Sequence, residues 1–144
     1  SSYKNAYRVS RTTINASYRK ADYLRWQRQD FIIGYKVRLS AQHPRYDICD
    51  QLRGSYPKSF LFTGWHPQCF CFVTPVRMKR EDFVRKLRGE RIDYQPIREV
   101  PGNMKKWVNR NRDKILNMRN KPYFILDNFR VGKNKLELDI KDME

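Results

Sequence analysis

The first thirty residues combine a helical repeat of apolar and polar positions with an absence of helix-breaking residues. No Gly or Pro occurs between Tyr3 and Ile33. This pattern predicts one long helix over residues 3–30. Its small side chains would allow another element to pack closely against a heptad-like stripe made of Tyr7, Ser10, Ile14, Ser17, Ala21 and Leu24.

A second row on this helix is mostly polar. It follows the same steps of three and four residues and consists of Arg8, Arg11, Asn15, Arg19, Asp22 and Trp26. A row of this composition is typical of a solvated helix face. The alternative is that Arg11, Asn15 and Asp22 form hydrogen bonds with a neighbouring loop.

The pattern changes from helical spacing to alternation after Gly34. The apolar residues at 35, 37 and 39 alternate with Lys36 and Arg38, which predicts a half-buried strand within residues 31–40. Residues 41–59 contain two prolines and a glycine. They are interpreted as a structured loop with one helical turn from Asp47 to Leu52.

Two short apolar runs, residues 60–65 and 70–76, lie on either side of His66 and Pro67. Their aromatic and β-branched content predicts a strand, a turn and a second strand. The segment Val37–Leu39 is the expected partner of the second strand.

Two further helices are predicted in the C-terminal half. Residues 79–89 form the first, which ends at Gly89 in the C-cap position and turns Phe83, Val84 and Leu87 inward. Residues 103–119 form the second, with Asn103 as its N-cap. Its buried face is expected to consist of Met104, Trp107, Val108, Ile115 and Met118.

The remaining residues are predicted to be extended. The apolar residues Tyr123, Phe124 and Ile125 indicate an extended segment over residues 121–131, and residues 129–144 are interpreted as a tail or an edge strand. The fold class that follows is α+β: a long N-terminal helix packed on a small antiparallel sheet, with a Cys/His knuckle and two further helices. With 144 residues, 40% of them hydrophobic, the chain fits one domain.

The charge identifies the expected class of partner. Lys and Arg number 31 against 15 Asp and Glu, a formal net charge of +16. A polyanion, either nucleic acid or an acidic protein surface, is the expected neighbour. Because these residues are spread over three predicted helices, we expect sequence-independent contacts through phosphates. The candidate contact residues are Arg8, Lys20, Arg25, Arg28, Arg77, Lys79, Arg80, Lys105, Lys106, Arg110 and Arg112.

Targeting signals and cysteine content indicate the cellular compartment in which the protein is made. No apolar run reaches the length of about 18 residues that predicts a membrane span, and no signal-peptide core is seen near the N-terminus. The start at Ser1 without Met indicates a processed, trimmed or partial chain. Three cysteines are an odd count for a disulfide scaffold and favour reduced thiols or metal ligands in a protein of cytosolic origin.

Four residues form a candidate zinc site: Cys49, His66, Cys69 and Cys71. On a regular strand, Cys69 and Cys71 would point to opposite faces, so the site requires a bend, which Pro67 and a bulge could supply. The cysteines could instead be small buried apolar residues, with His66 bonded to the 41–59 loop. Two enzymatic alternatives are a cysteine activated by His43 or His66 and acid–base chemistry by His43 with Asp47 and Asp50.

The chain also resembles a known family. The matching stretches are "SRTTINASYRKADYLRWQ" (10–27), "DICDQLRGSYPKSFLFTGWHPQCFC" (47–71) and "VPGNMKKWVNRNRDKI…KPYFILDN" (100–128). They resemble the phage Mu F-like head morphogenesis family of minor head proteins, and the His-Pro-x-Cys-x-Cys element is the specific part. The chain departs from the family pattern at Cys49, where relatives carry a Cys pair, and at Phe70, where they carry Arg.

The resemblance implies a minor head protein domain over residues 1–128. It implies a structural virion protein of a tailed phage, not an enzyme, that lies in the head at the portal vertex and acts in head assembly, genome packaging or ejection. Its partners would be portal or capsid proteins and packaged double-stranded DNA, bound without sequence preference, with no membrane partner. The knuckle would have a structural role, with zinc as its expected metal. The family motif maps onto Arg11, Thr12, Asn15, Asp47, Asp50 and Pro67, and we expect Arg11 and Asn15 to face the 47–52 loop.

Two rival functions remain open at this stage. One is a phage-encoded nuclease or toxin domain that would use His43, His66, Asp47 and Asp50. The other is a plain sequence-independent nucleic-acid-binding protein.

Overall fold

The computed structural model describes residues 1–132 and the main chain of residues 136–140. Its elements confirm the α+β class, with a long N-terminal helix, a small antiparallel sheet and further helices. In chain order they are α1 (Ser2–Gln27), β1 (Ile32–Arg38), α2 (Ile48–Leu52), β2 (Gly54–Tyr56), β3 (Phe72–Arg77), α3 (Arg80–Leu87), α4 (Gly102–Asn117), α5 (Tyr123–Asn128), β4 (Phe129–Val131) and β5 (Leu136–Ile140).

The main sheet has the order β2-β1-β3, and both pairings are antiparallel. The predicted alternation on β1 is confirmed, because Tyr35 and Val37 are buried while Lys36 and Arg38 are exposed. The predicted pairing with the second strand is also confirmed, with Val37 opposite Val73. The strand β2 was not predicted, since three residues after a glycine are too short to show alternation.

Helix α1 packs on this sheet through its C-terminal half. Tyr23 and Trp26 are buried, and the Trp26 ring lies 5.9 Å from the ring of Tyr35. The buried side is therefore the polar row, and its interpretation as a solvated face is wrong. The heptad-like stripe faces away from the sheet, with Tyr7, Ile14 and Leu24 all more than half exposed. No described element of the chain packs closely against that stripe.

The run at residues 60–65 is not a strand, which corrects the sequence prediction. Its main chain is bound by a side chain instead of a neighbouring strand. Asn128 accepts a hydrogen bond from the amide of Leu61 at 2.7 Å and donates to the carbonyl of Leu61 at 2.8 Å. The carboxamide thus takes the place of a peptide group of a neighbouring strand. The segment needs no strand partner there, and its side chains Phe60, Phe62 and Trp65 are buried in the core.

Three predictions in the C-terminal half also need correction. Leu87 is 71% exposed, because α3 buries none of its residues and contacts the core mainly through Phe83, whose ring lies 5.4 Å from that of Phe31. Asn103 does not cap α4; its amide donates to the carbonyls of Gln51 and Arg53. The predicted extended segment instead contains the helix α5.

Burial explains why α5 is helical despite its aromatic and β-branched residues. Phe124, Ile125 and Asn128 are buried. Ile125 follows Phe124 by one residue and Asn128 follows it by four, and a helix places all three side chains on one face, whereas a strand does not. Phe129, at the start of β4, is buried as well and contacts Phe60. Strands β4 and β5 pair antiparallel within the segment interpreted as a tail or edge strand. Residues 133–135 and 141–144 of that segment lie outside the described residues.

None of the helices in the described part of the chain has the length and the hydropathy that a membrane-spanning segment needs.

Candidate metal centre

Helix α2 positions the first cysteine of the candidate site. Asp47 is the N-cap, and its carboxylate accepts a hydrogen bond from the amide of Cys49 at 2.7 Å. Asp50 reaches back and accepts from the amide of Asp47 at 2.8 Å. This reciprocal capping box fixes the first turn of a helix too short to be stable alone, and it holds the Cys49 side chain in the core.

A turn after Pro67 positions the other two cysteines. Gln68 has a φ of 57°, the only positive φ of a non-glycine residue in the described chain. This left-handed residue bends the backbone, and β3 begins only at Phe72. Cys69 and Cys71 are therefore not on a regular strand, and both are 2% exposed. The bend that the zinc site required is present.

The three cysteine sulfur atoms form one compact group. All of them lie within 4.8 Å of one another, and Cys49 Sγ is 3.7 Å from Cys69 Sγ. Two sulfurs bound to one tetrahedral zinc at about 2.3 Å would be about 3.8 Å apart. All three residues are free thiols. The group has the donor chemistry and the spacing to bind a metal ion.

His66 lies beside this group and contacts it at Cys49. Its Nε2 atom is 3.1 Å from Cys49 Sγ, and its Nδ1 atom is 2.7 Å from the carbonyl oxygen of Pro67. A carbonyl only accepts, so Nδ1 carries the proton and the Nε2 lone pair points toward the sulfur. Of the four side chains predicted to converge in one shell, the three cysteines do so, and His66 contacts this group at Cys49.

Hydrogen bonds among the three cysteines favour the thiolate form of Cys69. Hydrogen bonds from the Cys49 and Cys71 thiols, joined by the main-chain amides of Trp65 and Cys71, lower the pKa of Cys69 to about 2. The pKa of Cys49 is raised by its contact with the Cys69 sulfur, by the Cys71 sulfur and by burial. A metal ion would replace the shared protons, since only thiolates are ligands.

Arg19 is the residue of this site that sequence reasoning missed. One guanidinium nitrogen donates to the carbonyl of Thr63 at 2.7 Å, and the other donates to the carbonyls of Cys69 and Cys71 at 2.6 and 2.8 Å. The guanidinium thus fixes the main chain that carries two of the cysteines and places a positive charge beside their sulfur atoms. Its position on the polar row of α1 was the available signal.

The other motif residues on α1 face the cysteine turn, not the 47–52 loop. The guanidinium of Arg11 lies 4.7 Å from the centre of the Phe70 ring. Asn15 lines the same cavity as Arg11 and Phe70. The hydroxyl of Thr12 accepts a hydrogen bond from the amide of Gln68 at 3.1 Å. The expectation that Arg11 and Asn15 face the 47–52 loop is therefore wrong, because the loop carboxylates contact histidines.

Those carboxylates lie beside His43 and His66. His43 Nε2 is 2.9 Å from Asp50 and 3.4 Å from Asp47, and His66 Nε2 is 3.5 Å from Asp47. The residues of the nuclease alternative are thus neighbours. Both carboxylates also cap α2. Their contacts with the histidines therefore stabilise the loop that holds Cys49.

The candidate contact residues are spread over three parts of the surface. Those on α1 and its C-cap are Arg8, Lys20, Arg25 and Arg28; those around the start of α3 are Arg77, Lys79 and Arg80; those on α4 are Lys105, Lys106, Arg110 and Arg112. All are exposed except Lys105 and Arg112, which are partly buried. Arg25 pairs with Asp22, and Lys105 pairs with Glu99. They form no single recognition helix.

No protein-family model, curated protein or solved structure matches this chain in the comparisons with known proteins.

Proposed function

We propose that the chain is a zinc-stabilised structural domain of a phage minor head protein, which binds a portal or capsid protein and contacts packaged DNA. The observation that carries this proposal is the cluster of Cys49, Cys69 and Cys71 with His66 at its edge. It lies in the element that gives the resemblance to minor head proteins its specificity.

Zinc is the proposed metal, and His66 is its proposed fourth ligand. Three thiolates and one imidazole form a Cys₃His set, which is typical of structural zinc. His66 suits this role better than His43, because Nε2 of His66 is closer to the Cys49 sulfur (3.1 Å) than to Asp47 (3.5 Å), whereas Nε2 of His43 is 2.9 Å from Asp50 and 3.4 Å from Asp47. The distance of 3.1 Å from His66 to Cys49 is about 0.5 Å shorter than on a tetrahedral zinc, so metal binding would open this contact slightly.

The location of the cluster supports a structural role. Its ligands join α2 to the turn before β3, and Arg19 joins the same turn to α1. Four protein ligands would complete a tetrahedral shell, whereas a catalytic zinc keeps one position for water or substrate. A metal here would hold together two segments that are distant in the sequence, and Arg19 joins α1 to one of them.

The exposed stripe on α1 is the proposed surface for the protein partner. Tyr7, Ile14 and Leu24 are more than half exposed, and Tyr3, 78% exposed, extends the stripe by one step. The residues that flank it are basic: Lys4, Arg8, Arg11, Lys20 and Arg25. Two copies of this helix would bring like charges together, which disfavours self-association. An acidic helix with an apolar face, from a portal or capsid protein, fits both features.

The exposed basic residues at the start of α3 and on α4 are the proposed contacts with packaged DNA. They include Lys79, Arg80, Lys106 and Arg110. Their separation argues for phosphate contacts without base recognition. Binding to unrelated duplexes should be equal in affinity and should weaken with salt, with a log–log slope of about 0.9 for each phosphate contacted. Preference for one sequence, or no duplex binding at low salt, would refute the DNA contact.

The metal is tested by elemental analysis and by chelation. The purified chain should contain one zinc, and its removal should lower the melting temperature by more than about 10 °C. Addition of zinc should restore it, whereas magnesium should not. A metal-free chain with the same melting temperature would refute the zinc-stabilised site.

The partner and the virion location are tested in assembled particles. The chain should be a particle component and co-purify with the portal or capsid protein. An Ile14→Asp variant should lose this association without a change in melting temperature, while Thr13→Asp, exposed beside the stripe, should keep it. Metal-dependent nuclease activity that is lost on His43→Ala would favour the enzymatic alternative instead.

A further inference from the structure

The main sheet has an outer face that is turned away from the core. Lys36 and Arg38 are exposed on this face, because the alternate residues of β1 are buried on the other face. Antiparallel partners share a face, so Phe72 lies next to Arg38 and Thr74 lies next to Lys36. Ser55 of β2 lies on the other side of Lys36. All three strands therefore contribute side chains to the outer face.

Three basic residues lie together on the outer face. A pocket there has Lys36, Arg38, Arg53 and Phe72 among its lining residues, and no acidic residue of the described chain lines it. Lys36 and Arg53 form no ion pair within the described residues. Arg38 donates from Nε to the hydroxyl of Thr74 at 3.1 Å, which holds its guanidinium on the face. The terminal nitrogens of that guanidinium have no hydrogen-bond partner in the part of the chain that the structure describes.

The charges of this cluster fit a ligand with several negative groups. Cations that share one pocket repel each other, and an anionic ligand relieves this repulsion. The free terminal nitrogens of Arg38 can bind phosphate or carboxylate oxygens with two parallel N–H groups. Charge alone therefore allows either a nucleic acid or an acidic peptide.

Phe72 distinguishes between these two ligands. Its side chain is 46% exposed, on the same face as the cations. An exposed aromatic ring on a sheet can stack with an unpaired base, because every base has a π-face. A carboxylate gains nothing from this ring, whose face carries partial negative charge. The bases of a duplex are already stacked and paired, so only a single strand can use Phe72.

Ile97 limits the size of the open face. An added Cβ at Gly34 would lie 2.6 Å from Cδ1 of Ile97, so the Ile97 side chain covers the outer face where β1 has no side chain of its own. The open part is therefore restricted to the rows that contain Lys36 and Arg38. Three strands about 4.8 Å apart make it about 10 Å wide, which accommodates only a few nucleotides.

We infer that the open part of this face, formed by Lys36, Arg38, Arg53, Phe72 and Thr74, binds a short single strand of nucleic acid. One base stacks on Phe72, and the neighbouring phosphates pair with the three cations. The hydroxyl of Thr74 accepts from Arg38 and keeps its own proton, which it can donate to a phosphate oxygen. None of these contacts depends on the sugar, so strands of DNA and of RNA should bind equally.

This inference goes beyond the proposed function, in which duplex DNA contacts Lys79, Arg80, Lys106 and Arg110 through its phosphates. Those four residues lie outside the open face. The two sites involve different residues and different forms of nucleic acid, so each can fail without the other. Loss of duplex binding with single-strand binding retained would refute the duplex contact alone.

The fluorescence of a Phe72→Trp variant of the whole chain tests the inference directly. Trp26 and Trp65 are buried and Trp107 is partly buried, so position 72 would carry the most exposed indole. Short single strands of DNA and of RNA should quench its emission through base stacking, with saturation. A relaxed circular duplex has no ends and no unpaired bases, and it should not quench. The unmodified chain, titrated in parallel, corrects for the other tryptophans.

Matched variants of the unmodified chain measure the individual contacts through the anisotropy of a labelled single strand. Phe72→Leu keeps an apolar side chain and removes the ring, so affinity should fall about tenfold. Tyr46→Leu, at a position that is 75% exposed outside the face, should leave affinity unchanged. Lys36→Gln should reduce the log–log salt slope by about 0.7, the value for one phosphate of a single strand. Arg91→Gln, also exposed outside the face, should leave the slope unchanged.

Four results would overturn the inference. Single strands might fail to quench the Phe72→Trp variant, or the circular duplex might quench it as strongly as they do. Phe72→Leu could bind the labelled strand as tightly as the unmodified chain does. Polyglutamate could displace that strand as effectively as an unlabelled strand, which would assign the face to an acidic peptide. A preference of tenfold or more for one sugar would contradict recognition through phosphate and base alone.

Discussion

The guanidinium of Arg19 donates a hydrogen bond of 2.6 Å to the carbonyl oxygen of Cys69, which joins α1 directly to the main chain of the metal-binding turn. The same side chain binds the carbonyls of Cys71 and Thr63. Gly64 lies so close that an added Cβ would be 2.9 Å from the guanidinium, and its φ of 135° already disfavours a side chain. One arginine therefore fixes both segments that lead into the Cys/His knuckle.

Replacement of Arg19 should be strongly destabilising, even when the charge is kept. In Arg19→Lys a single ammonium cannot reach three carbonyls in the geometry of a guanidinium. Hydrogen bonds to charged groups contribute about 1.5–3 kcal/mol each, and the loss of two of them should lower the free energy of unfolding by about 3 kcal/mol. Urea denaturation measures this change.

Arg8→Lys is the matched control, because Arg8 lies on the same helix with an exposed side chain. It should change the free energy of unfolding by less than about 0.5 kcal/mol. If Arg19→Lys were as mild as Arg8→Lys, the link between α1 and the cysteine turn would not contribute to stability.

Strand β1 could be predicted from the sequence because burial on one face imposes alternation, and β3 could be predicted because aromatic and β-branched residues are typical of strands. Tyr35 and Val37 alternate with Lys36 and Arg38, and the pattern alone identifies the buried side. The run at residues 60–65 has the same composition, but its main-chain partner is the Asn128 side chain, 67 residues away from Leu61. No local pattern encodes such a partner.

The candidate site could also be predicted only in part: its metal ligands were found, and Arg19 was missed. Thiols and an imidazole are uncommon enough in this chain that Cys49, His66, Cys69 and Cys71 stood out. Arg19 did not, because its position on the polar row of α1 does not distinguish it from the other basic residues among the 31 in the chain. Helical spacing placed Arg11, Asn15 and Arg19 on one face, but whether that face meets solvent or a loop depends on tertiary packing.

His66 and His43 should differ sharply in their effect on the metal. His66→Asn removes the imidazole whose Nε2 lies 3.1 Å from Cys49, so zinc affinity should fall by at least about 100-fold. His43→Asn removes a group that contacts Asp47 and Asp50, so zinc affinity should change by less than about tenfold. Competition with a chromophoric chelator measures both.

Cobalt(II) provides a second readout for the same pair of variants. The unmodified chain and His43→Asn should show the strong visible bands of tetrahedral cobalt with thiolate ligands, and His66→Asn should show shifted and weaker bands. Identical spectra for all three proteins would contradict the role of His66 as a ligand.

Alkaline pH should destabilise the fold through two buried tyrosines. Burial raises the pKa of Tyr35 and of Tyr56 far above the usual value of 10.0. Above pH 10 the unfolded chain loses these protons while the folded chain keeps them, so stability is lost as the pH rises. By pH 11 each tyrosine should cost about 1.4 kcal/mol relative to pH 8.

The free energy of unfolding measured from pH 8 to pH 11 tests this dependence. Tyr35→Phe and Tyr56→Phe should each reduce the alkaline loss by about 1.4 kcal/mol at pH 11, and the double variant by about twice that amount. The buried thiols titrate equally in all of these proteins and cancel in the comparison. Variants whose alkaline loss equals that of the unmodified chain would show that these hydroxyls ionise in the folded state.

Asn128 should be as important for the fold as a core aromatic residue. Its side chain is 1% exposed, binds both main-chain groups of Leu61 and donates to the carbonyl of Phe124 at 2.9 Å. Asn128→Leu leaves the partly buried amide and carbonyl of Leu61 without these partners, at about 1–3 kcal/mol each, whereas the Phe124 carbonyl keeps its main-chain bond within α5. The free energy of unfolding should fall by about 3 kcal/mol or more.

Hydrogen exchange shows whether this loss has the expected cause. In Asn128→Leu the amide of Leu61 should exchange much faster, because its acceptor is gone, while amides in the β1–β3 pair keep their relative order of protection. Asn120→Leu, at an exposed position eight residues earlier, should change neither stability nor exchange. An Asn128→Leu variant with unchanged protection of Leu61 would mean that the 60–65 segment pairs with another acceptor, as the strand predicted from its sequence would.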